Sequence, residues 1–217
     1  MKFNTDPTFV GIHSLKQKHA AQIAQFETWA ANHEWGTFHS SHYDWWTFPI
    51  DRPSAYGMQY VVFEGEIQTL REDPVFLDRY RRGVSLVAAS WGWDVWKAEY
   101  IADPKPGQSW HDWPVRLFKA ARSVQLFSEA ALFESLKKYA SDLIRQGHNM
   151  SYGGKDLSWL FTTGNDPYKP SREAQVGPVS MWMALRTAGL QPVFPALFLD
   201  HDAQQRRNLH GLRAGED

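Results

Sequence analysis

The sequence predicts a mainly α-helical fold, a compact multi-helical single domain with at most a small β hairpin. Several long segments carry apolar residues at helical spacing, and capping or breaker residues bound them. Only one short run is rich in β-branched and aromatic residues. A length of 217 residues with 43% hydrophobic residues also suits one globular domain.

The first predicted helix covers residues 14–33. Residues 14–17 read SLKQ, which has the form of a capping box. Apolar and ring-bearing residues then recur every three or four positions: Leu15, His19, Ile23, Phe26 and Ala30. This spacing predicts one buried face.

Four further helices are predicted from similar boundary signals. Asp73 followed by Pro74 marks a helix start, and Gly92 can end a helix at about residue 91. Residues 112–114, DWP, are interpreted as opening a third helix that runs to about residue 127. A fourth is bounded by Ser128 and Gly147, and a fifth covers about 178–189, burying Met181 and Leu185.

The rest of the chain is predicted to be extended or irregular. Residues 58–63 resemble a β-strand, whereas 35–57 and 149–177 are long irregular regions of the kind that often carries function. The glycine pair before Lys155 is interpreted as a turn, because it lacks the rest of a phosphate-binding loop. We expect one domain over 1–199 with its core at 36–189, and a polar tail over 200–217.

Composition narrows the classes of function. A formal net charge of -1 gives no bulk attraction to nucleic acid, so we expect no such binding from charge alone. The chain has no cysteine, which excludes disulfides, thiolate metal sites and cysteine nucleophiles. We find no signal-like start and no long uncharged apolar run, so we expect a cytoplasmic protein without membrane contact. Serine nucleophile motifs are also missing.

Residues 39–54, reading HSSHYDWWTFPIDRPS, are the most informative segment. They combine histidines, aspartates, an arginine and several large rings in a stretch with little helical pattern. Neither a core strand nor a solvated loop needs both kinds of side chain, whereas a pocket does. The chain also contains 11 tryptophans, most of which we expect to fill the core.

Metal binding is the weaker interpretation of this segment. His39, His42 and Asp44 have ligand chemistry, and further ligands would have to come from His111, His148 or the DHD cluster at 200–202. The spacing matches no metal signature, so stacked or hydrogen-bonded histidines are favoured. We therefore expect no metal and no cofactor.

A cleft for a flat, anionic ligand is the stronger interpretation. Indoles can stack on a base, and arginines can hold phosphate oxygens. The side chains expected to line this cleft are His42, Asp44, Trp45, Trp46, Asp51, Arg52, Trp113, Arg116 and Trp159. Each carboxylate or arginine taken alone is more typical of a surface ion pair.

Residues 41–49, SHYDWWTFP, resemble a signature of an uncharacterised bacterial family in the YbiA-like superfamily. Within that superfamily, the NADAR proteins carry a glutamate and a glutamine four residues apart, as do Glu64 and Gln68 here. Residues 113–116 and 156–159 are similar to their later elements, and the resemblance covers about 36–189. The NADAR asparagine near the opening motif is absent, and Leu160 replaces an expected glycine.

The resemblance implies an N-glycosidase that hydrolyses a base–ribose bond in a nucleotide or ADP-ribose-like substrate. On this interpretation Glu64 would stabilise the oxocarbenium-like ribose and activate water, and Asp156 would orient a hydroxyl or act as the acid. A fainter resemblance, to the conserved domain of opioid growth factor receptors, implies binding without chemistry. The alternative is therefore a non-catalytic module that binds a nucleotide or a protein.

Overall fold

A computed structural model describes residues 1–168 of the chain. The predicted helix at 178–189 and the predicted tail at 200–217 lie outside these residues. Within them the fold is mainly α-helical, as predicted. The helices are α1 (Gly11–Ala31), α2 (Trp35–Ser40), α3 (Asp44–Thr47), α4 (Glu64–Arg71), α5 (Pro74–Ser90), α6 (Pro114–Leu126) and α7 (Ala130–Arg145), and one 3₁₀ turn covers Ser158–Leu160.

Two antiparallel hairpins complete the described fold. The first pairs β1 (Trp93–Asp94) with β2 (Glu99–Tyr100), and the second pairs β3 (Ser151–Tyr152) with β4 (Lys155–Asp156). The second hairpin turns at Gly153 and Gly154, whose φ angles of 56° and 72° suit a two-residue turn that favours glycine. The glycine pair is therefore a turn, as predicted.

The helices form two packed pairs joined by the short helix α3. Helix α1 packs on α5 and α6 packs on α7, while α3 contacts both α1 and α6. Gly83 brings α1 and α5 close together, because a Cβ there would lie 2.5 Å from Cδ1 of Ile23. A single apolar core runs through all these helices and is rich in phenylalanine and tyrosine. No helix within residues 1–168 is both long and apolar enough to cross a bilayer.

The predicted helix boundaries are confirmed in part. Asp73 caps α5, its carboxylate accepting from the backbone N–H groups of Val75 and Phe76 at 3.0 Å each. The capping box predicted at residues 14–17 is wrong, because α1 begins three residues earlier, at Gly11. Ser128, predicted to cap the fourth helix, instead has a φ of 60° and precedes α7.

The predicted strand at 58–63 is wrong. Asn4 of the N-terminal segment donates from its side-chain amide to the carbonyl groups of Met58 and Val61, at 2.9 and 2.8 Å. Two carbonyls that a neighbouring strand would need are therefore bound to a side chain. Glu66 holds the same segment by accepting from the backbone N–H groups of Asn4 and Phe63, at 2.8 and 2.9 Å.

Candidate functional site

Helix α6 holds the segment at 39–54 through side chains on one of its faces. Lys119 follows Arg116 by three residues, and Arg122 and Ser123 follow Lys119 by three and four, so the side chains project from neighbouring turns of one side of the helix. Each of the four makes a polar contact with residues 38–51. The position of α3 and of the chain around it therefore depends on this one helix.

Arg116 caps the C-terminal end of α2. Its guanidinium donates to the carbonyl groups of Phe38, His39 and Ser41 at 2.8, 3.0 and 2.5 Å. The last carbonyls of a helix lack intrahelical partners and carry partial negative charge, so a cation stabilises them. Arg116 is buried, and its role in holding α2 is structural whatever else it does.

Asp44 and Lys119 form a buried ion pair. Nζ of Lys119 lies 2.5 Å from Oδ2 of Asp44, and Nε of Arg116 lies 3.9 Å from Oδ1. Burial alone would raise the pKa of Asp44, but the charges of Lys119 and Arg116 outweigh it, and the net shift of the pKa is downward. Asp44 is therefore ionised at neutral pH.

Two more contacts fix the far end of the segment. Arg122 donates to both carboxylate oxygens of Asp51, at 3.0 and 2.5 Å. Ser123 donates to the carbonyl of Pro49 at 3.0 Å and accepts from the hydroxyl of Tyr80 at 2.8 Å. Asp51, predicted to bind a substrate, thus has a fork-like partner inside the protein.

A small cavity, called here the indole cavity, opens where α3, α6 and the second hairpin meet. Its volume is about 20 Å³. Its lining residues are His42, Asp44, Trp45, Ala55, Trp113, Val115, Arg116, Lys119 and Tyr152. Cations lie over its rings, with the Arg116 guanidinium 4.8 Å from the Trp113 ring centre and Nζ of Lys119 4.8 Å from that of Trp45.

A second cavity, called the inner cavity, also has Trp45 in its wall. Its volume is about 10 Å³. Its lining residues are Trp45, Phe48, Ile50, Arg52, Ser54, Tyr60, Val61 and Lys119. Arg52 pairs with Asp166, and its guanidinium lies 5.3 Å from the ring centre of Trp159. These two cavities share Trp45 and Lys119.

Five predicted binding residues therefore meet at one cavity: His42, Asp44, Trp45, Trp113 and Arg116. Arg52 lines the inner cavity, and Trp159 packs beside it. Trp46 lines neither cavity, since its indole N–H donates to Gln22 at 3.3 Å and its ring packs on Tyr60. Asp51 also lines neither, because it is bound to Arg122.

The predicted catalytic carboxylates do not line these cavities. Glu64 is exposed at the start of α4, where its carboxylate accepts from the backbone N–H of Lys2 at 3.3 Å. Asp156 is exposed in β4 and accepts from the backbone N–H of Ser158 at 2.8 Å. The carboxylate that the described residues place in the cavity wall is Asp44.

Lys119 and Tyr152 are site residues that the sequence interpretation missed. Lys119 lies three residues after Arg116, so the helical spacing that predicted α6 also placed it on the same face. Tyr152 reaches the cavity through the second hairpin, and the glycine pair after it signalled that turn. The first signal was available but unused.

The histidines of the segment are arranged for stacking and hydrogen bonding. His39 stacks on His111 with ring centres 3.7 Å apart, and its Nε2 lies 2.9 Å from the carbonyl oxygen of Gly107. His148 instead lies 2.9 Å from Asp112. No group of three or more metal-binding side chains occurs within residues 1–168. Residues 200–202 fall outside the described part.

A larger cavity lies elsewhere, in a groove between α1, α5 and the first hairpin. This hairpin groove measures about 480 Å³ and has Trp35, Trp93 and Trp96 in its walls. Trp96 is 59% exposed, and its indole N–H donates to the hydroxyl of Ser85 at 2.7 Å. The sequence interpretation gave no role to these residues.

Comparison with known proteins adds no relative: no protein-family model, no curated protein and no solved structure matches the chain.

Proposed function

We propose that the protein binds a small planar ligand with an anionic group, of nucleotide type, at the indole cavity. The observation that carries the proposal is the convergence of rings and cations from distant parts of the chain. His42 and Trp45 come from the segment at residues 39–54. Trp113 and Lys119 come from the start of α6, and Tyr152 comes from the second hairpin. Rings suit stacking with a base, and cations suit phosphate oxygens.

The size of the cavity constrains how a ligand binds. Space of about 20 Å³ is what one ordered water needs, so a nucleotide lies across the mouth or displaces lining side chains. The ion pair of Asp44 and Lys119 in the cavity wall is buried and held by α6. The aromatic side chains of the wall are therefore the parts that adjust to a ligand. Binding is therefore expected to depend on the aromatic side chains.

A titration calorimetry experiment with AMP and ADP-ribose tests the proposal. Base–aromatic stacking is typically worth about 1–3 kcal/mol, so Trp113→Leu is expected to weaken binding about tenfold or more. Trp96→Leu, in the hairpin groove, is the matched control and is expected to bind as the wild type does. Equal binding by both variants contradicts the proposal, and a loss confined to Trp96→Leu moves the ligand to the hairpin groove.

Hydrolysis of an N-glycosidic bond is the second candidate function. The observation that favours it is the ionised carboxylate of Asp44 in the wall of the same cavity. An anion next to the ribose stabilises the positive charge that develops as the C–N bond breaks. Water then adds at the anomeric carbon and loses a proton. Departing adenine takes up this proton in the reaction of AMP or ADP-ribose, whereas nicotinamide leaves NAD as a neutral ring and the proton goes to solvent.

Chromatographic detection of free base from NAD, AMP or ADP-ribose tests this candidate. Asp44→Asn keeps the size of the side chain but removes its charge, so it is expected to abolish release. Glu64→Gln, outside the cavity, is expected to retain it, and circular dichroism shows whether each variant folds. Loss of activity in Glu64→Gln alone would assign the reaction to Glu64. Saturable binding with no released base after long incubation would leave a non-catalytic module.

A further inference from the structure

Trp45 is shared by the walls of the indole cavity and the inner cavity. It lines both spaces, and among residues 1–168 the only other residue common to the two linings is Lys119. Trp45 lies on α3, a helix of four residues, and its side chain is half-buried. The indole therefore has solvent on one side into which it can turn.

Trp45 is held by ring contacts and by Nζ of Lys119, which lies 4.8 Å from its ring centre. Its indole N–H is buried and has no hydrogen-bond partner among residues 1–168, although buried donors are normally paired. The indole N–H of Trp46, by contrast, donates to Gln22. Trp45 packs on Tyr56 with ring centres 4.9 Å apart and on His42 at 6.0 Å. Turning Trp45 outward thus breaks ring contacts but no hydrogen bond within the described chain.

The two spaces differ in chemistry. The indole cavity is lined by Arg116 and Lys119. The inner cavity adds an apolar wall formed by Phe48, Ile50 and Val61. It also contains Lys119 and Arg52, and Arg52 is paired with Asp166. An anion alone uses the cations but not the apolar wall of the second space, and a free base alone uses that wall but not the cations. A ligand that fills both needs a ring and an anion joined by a spacer.

We propose that Trp45 is a movable partition and that the ligand of the site is a nucleoside phosphate, which turns the indole aside and fills the joined space. This inference rests on the proposed binding function. The ligand ring takes the place that the indole leaves, between Trp113 of the indole cavity and the apolar wall of the inner cavity, and its phosphate remains with Arg116 and Lys119. The displaced indole gains a hydrogen-bond acceptor on the ligand for its unpaired N–H.

Nuclear magnetic resonance of the indole N–H groups tests the movement directly. Wild-type protein labelled with ¹⁵N is titrated with AMP, adenosine and inorganic phosphate, and Trp45→Phe assigns the Trp45 signal. The expected result is a large shift of that signal with AMP and a small one with either fragment. Trp46→Phe, the matched control, is expected to leave the response of Trp45 unchanged.

The affinity of Trp45→Ala gives a second readout. If the indole must be moved before the ligand fits, its removal eliminates that cost and AMP binds more tightly, by about tenfold. If the indole is instead a fixed stacking surface, its removal weakens AMP, which overturns the inference. Trp45→Phe, with a smaller ring, is expected to change affinity in the same direction to a lesser degree and serves if Trp45→Ala does not fold.

The two proposals fail in different ways. Absence of any AMP binding by the wild-type protein removes the proposed function. AMP binding with an unshifted Trp45 signal leaves the proposed function intact and removes the partition, whereas adenosine bound as tightly as AMP contradicts the role of the phosphate in both proposals. Tighter AMP binding by Trp45→Ala together with a shifted wild-type signal supports both.

Discussion

The indole cavity is small and contains buried charges, whereas the hairpin groove is large and has exposed charges at its rim. The groove offers about 480 Å³ against about 20 Å³, yet its charged rim residues Glu27 and Arg82 each have 53% of their side chains exposed. The small cavity contains Asp44 and Lys119, with 8% and 3% exposed. Volume alone therefore points to one region, and buried charge points to the other.

The difference also concerns how each region is held together. Around the indole cavity, α6 reaches four positions of the chain through polar side chains, so removing a single one leaves a buried or partly buried group without its α6 partner. The hairpin groove is bounded mostly by apolar and small side chains, whose packing is less specific. Substitutions should consequently have unequal effects in the two regions.

The largest effect is expected from Lys119→Met. This change leaves the carboxylate of Asp44 buried without its closest cation, and breaking a buried ion pair typically costs about 3–5 kcal/mol. Urea unfolding, followed by circular dichroism, measures the free energy of unfolding. A loss below about 1 kcal/mol would mean that the pair is solvated and that the contrast with the groove is false.

The double variant Asp44→Leu with Lys119→Met is the control for that prediction. Removing both charges eliminates the desolvated anion, so the double variant is expected to be more stable than Lys119→Met alone. A double variant less stable than the single one would show that packing, and not charge, dominates at this position.

Much of the fold could be predicted from the sequence because the long helices are locally determined. The Asp73-Pro74 start specifies α5, and Gly147, with a φ of 90°, follows the end of α7. Helices α2 and α3 were not predicted, since they have six and four residues and depend on tertiary contacts such as the Arg116 cap.

The candidate site was predictable in composition but not in pairing. The ring-rich segment supplied His42 and Trp45, which do line the cavity. Sequence could not show that Asp51 faces Arg122, because the two are 71 residues apart and meet only through the packing of α6. The orientation of Glu64 was equally hidden, since it depends on the N-terminal segment reaching α4.

An intermediate effect is expected from His19, which is buried between α1 and α5, the two helices that border the hairpin groove. His19 of α1 is buried against Phe76 and Tyr80 of α5, with ring centres 4.7 and 6.2 Å away. Burial lowers its pKa from 6.5 to about 3, with a smaller contribution from the charge of Arg79. Neither ring nitrogen has a hydrogen-bond partner within residues 1–168.

The sign of the resulting pH dependence follows from that lowered pKa. Below pH 6.5 the unfolded chain binds a proton at His19 that the folded protein does not, so stability is complete above pH 6.5 and falls towards pH 3. At pH 5 the free energy of unfolding is lower by about 2 kcal/mol because of His19 alone. His39, whose pKa burial lowers to about 4, acts in the same direction.

Urea unfolding at pH 7 and pH 5 tests this prediction. His19→Phe is expected to remove about half of the stability lost between these values, the rest coming from His39. His13→Gln, at an exposed position of the same helix, is the control and should leave the loss unchanged. If His19→Phe loses as much free energy of unfolding between pH 7 and pH 5 as the wild type does, then His19 is hydrated in the folded protein, as the hairpin groove is.

The smallest effect is expected from Arg82→Met at the rim of the hairpin groove. Its Nε lies 3.4 Å from Glu27 in an exposed pair, and such pairs typically contribute about 0–1 kcal/mol. Raising the salt concentration should reduce even that difference, because salt screens exposed charges far more than buried ones. The same salt series on Lys119→Met should leave its larger loss nearly constant. If Arg82→Met instead costs as much as Lys119→Met, the rim pair is desolvated in solution, the groove is closed, and buried charge no longer distinguishes the indole cavity.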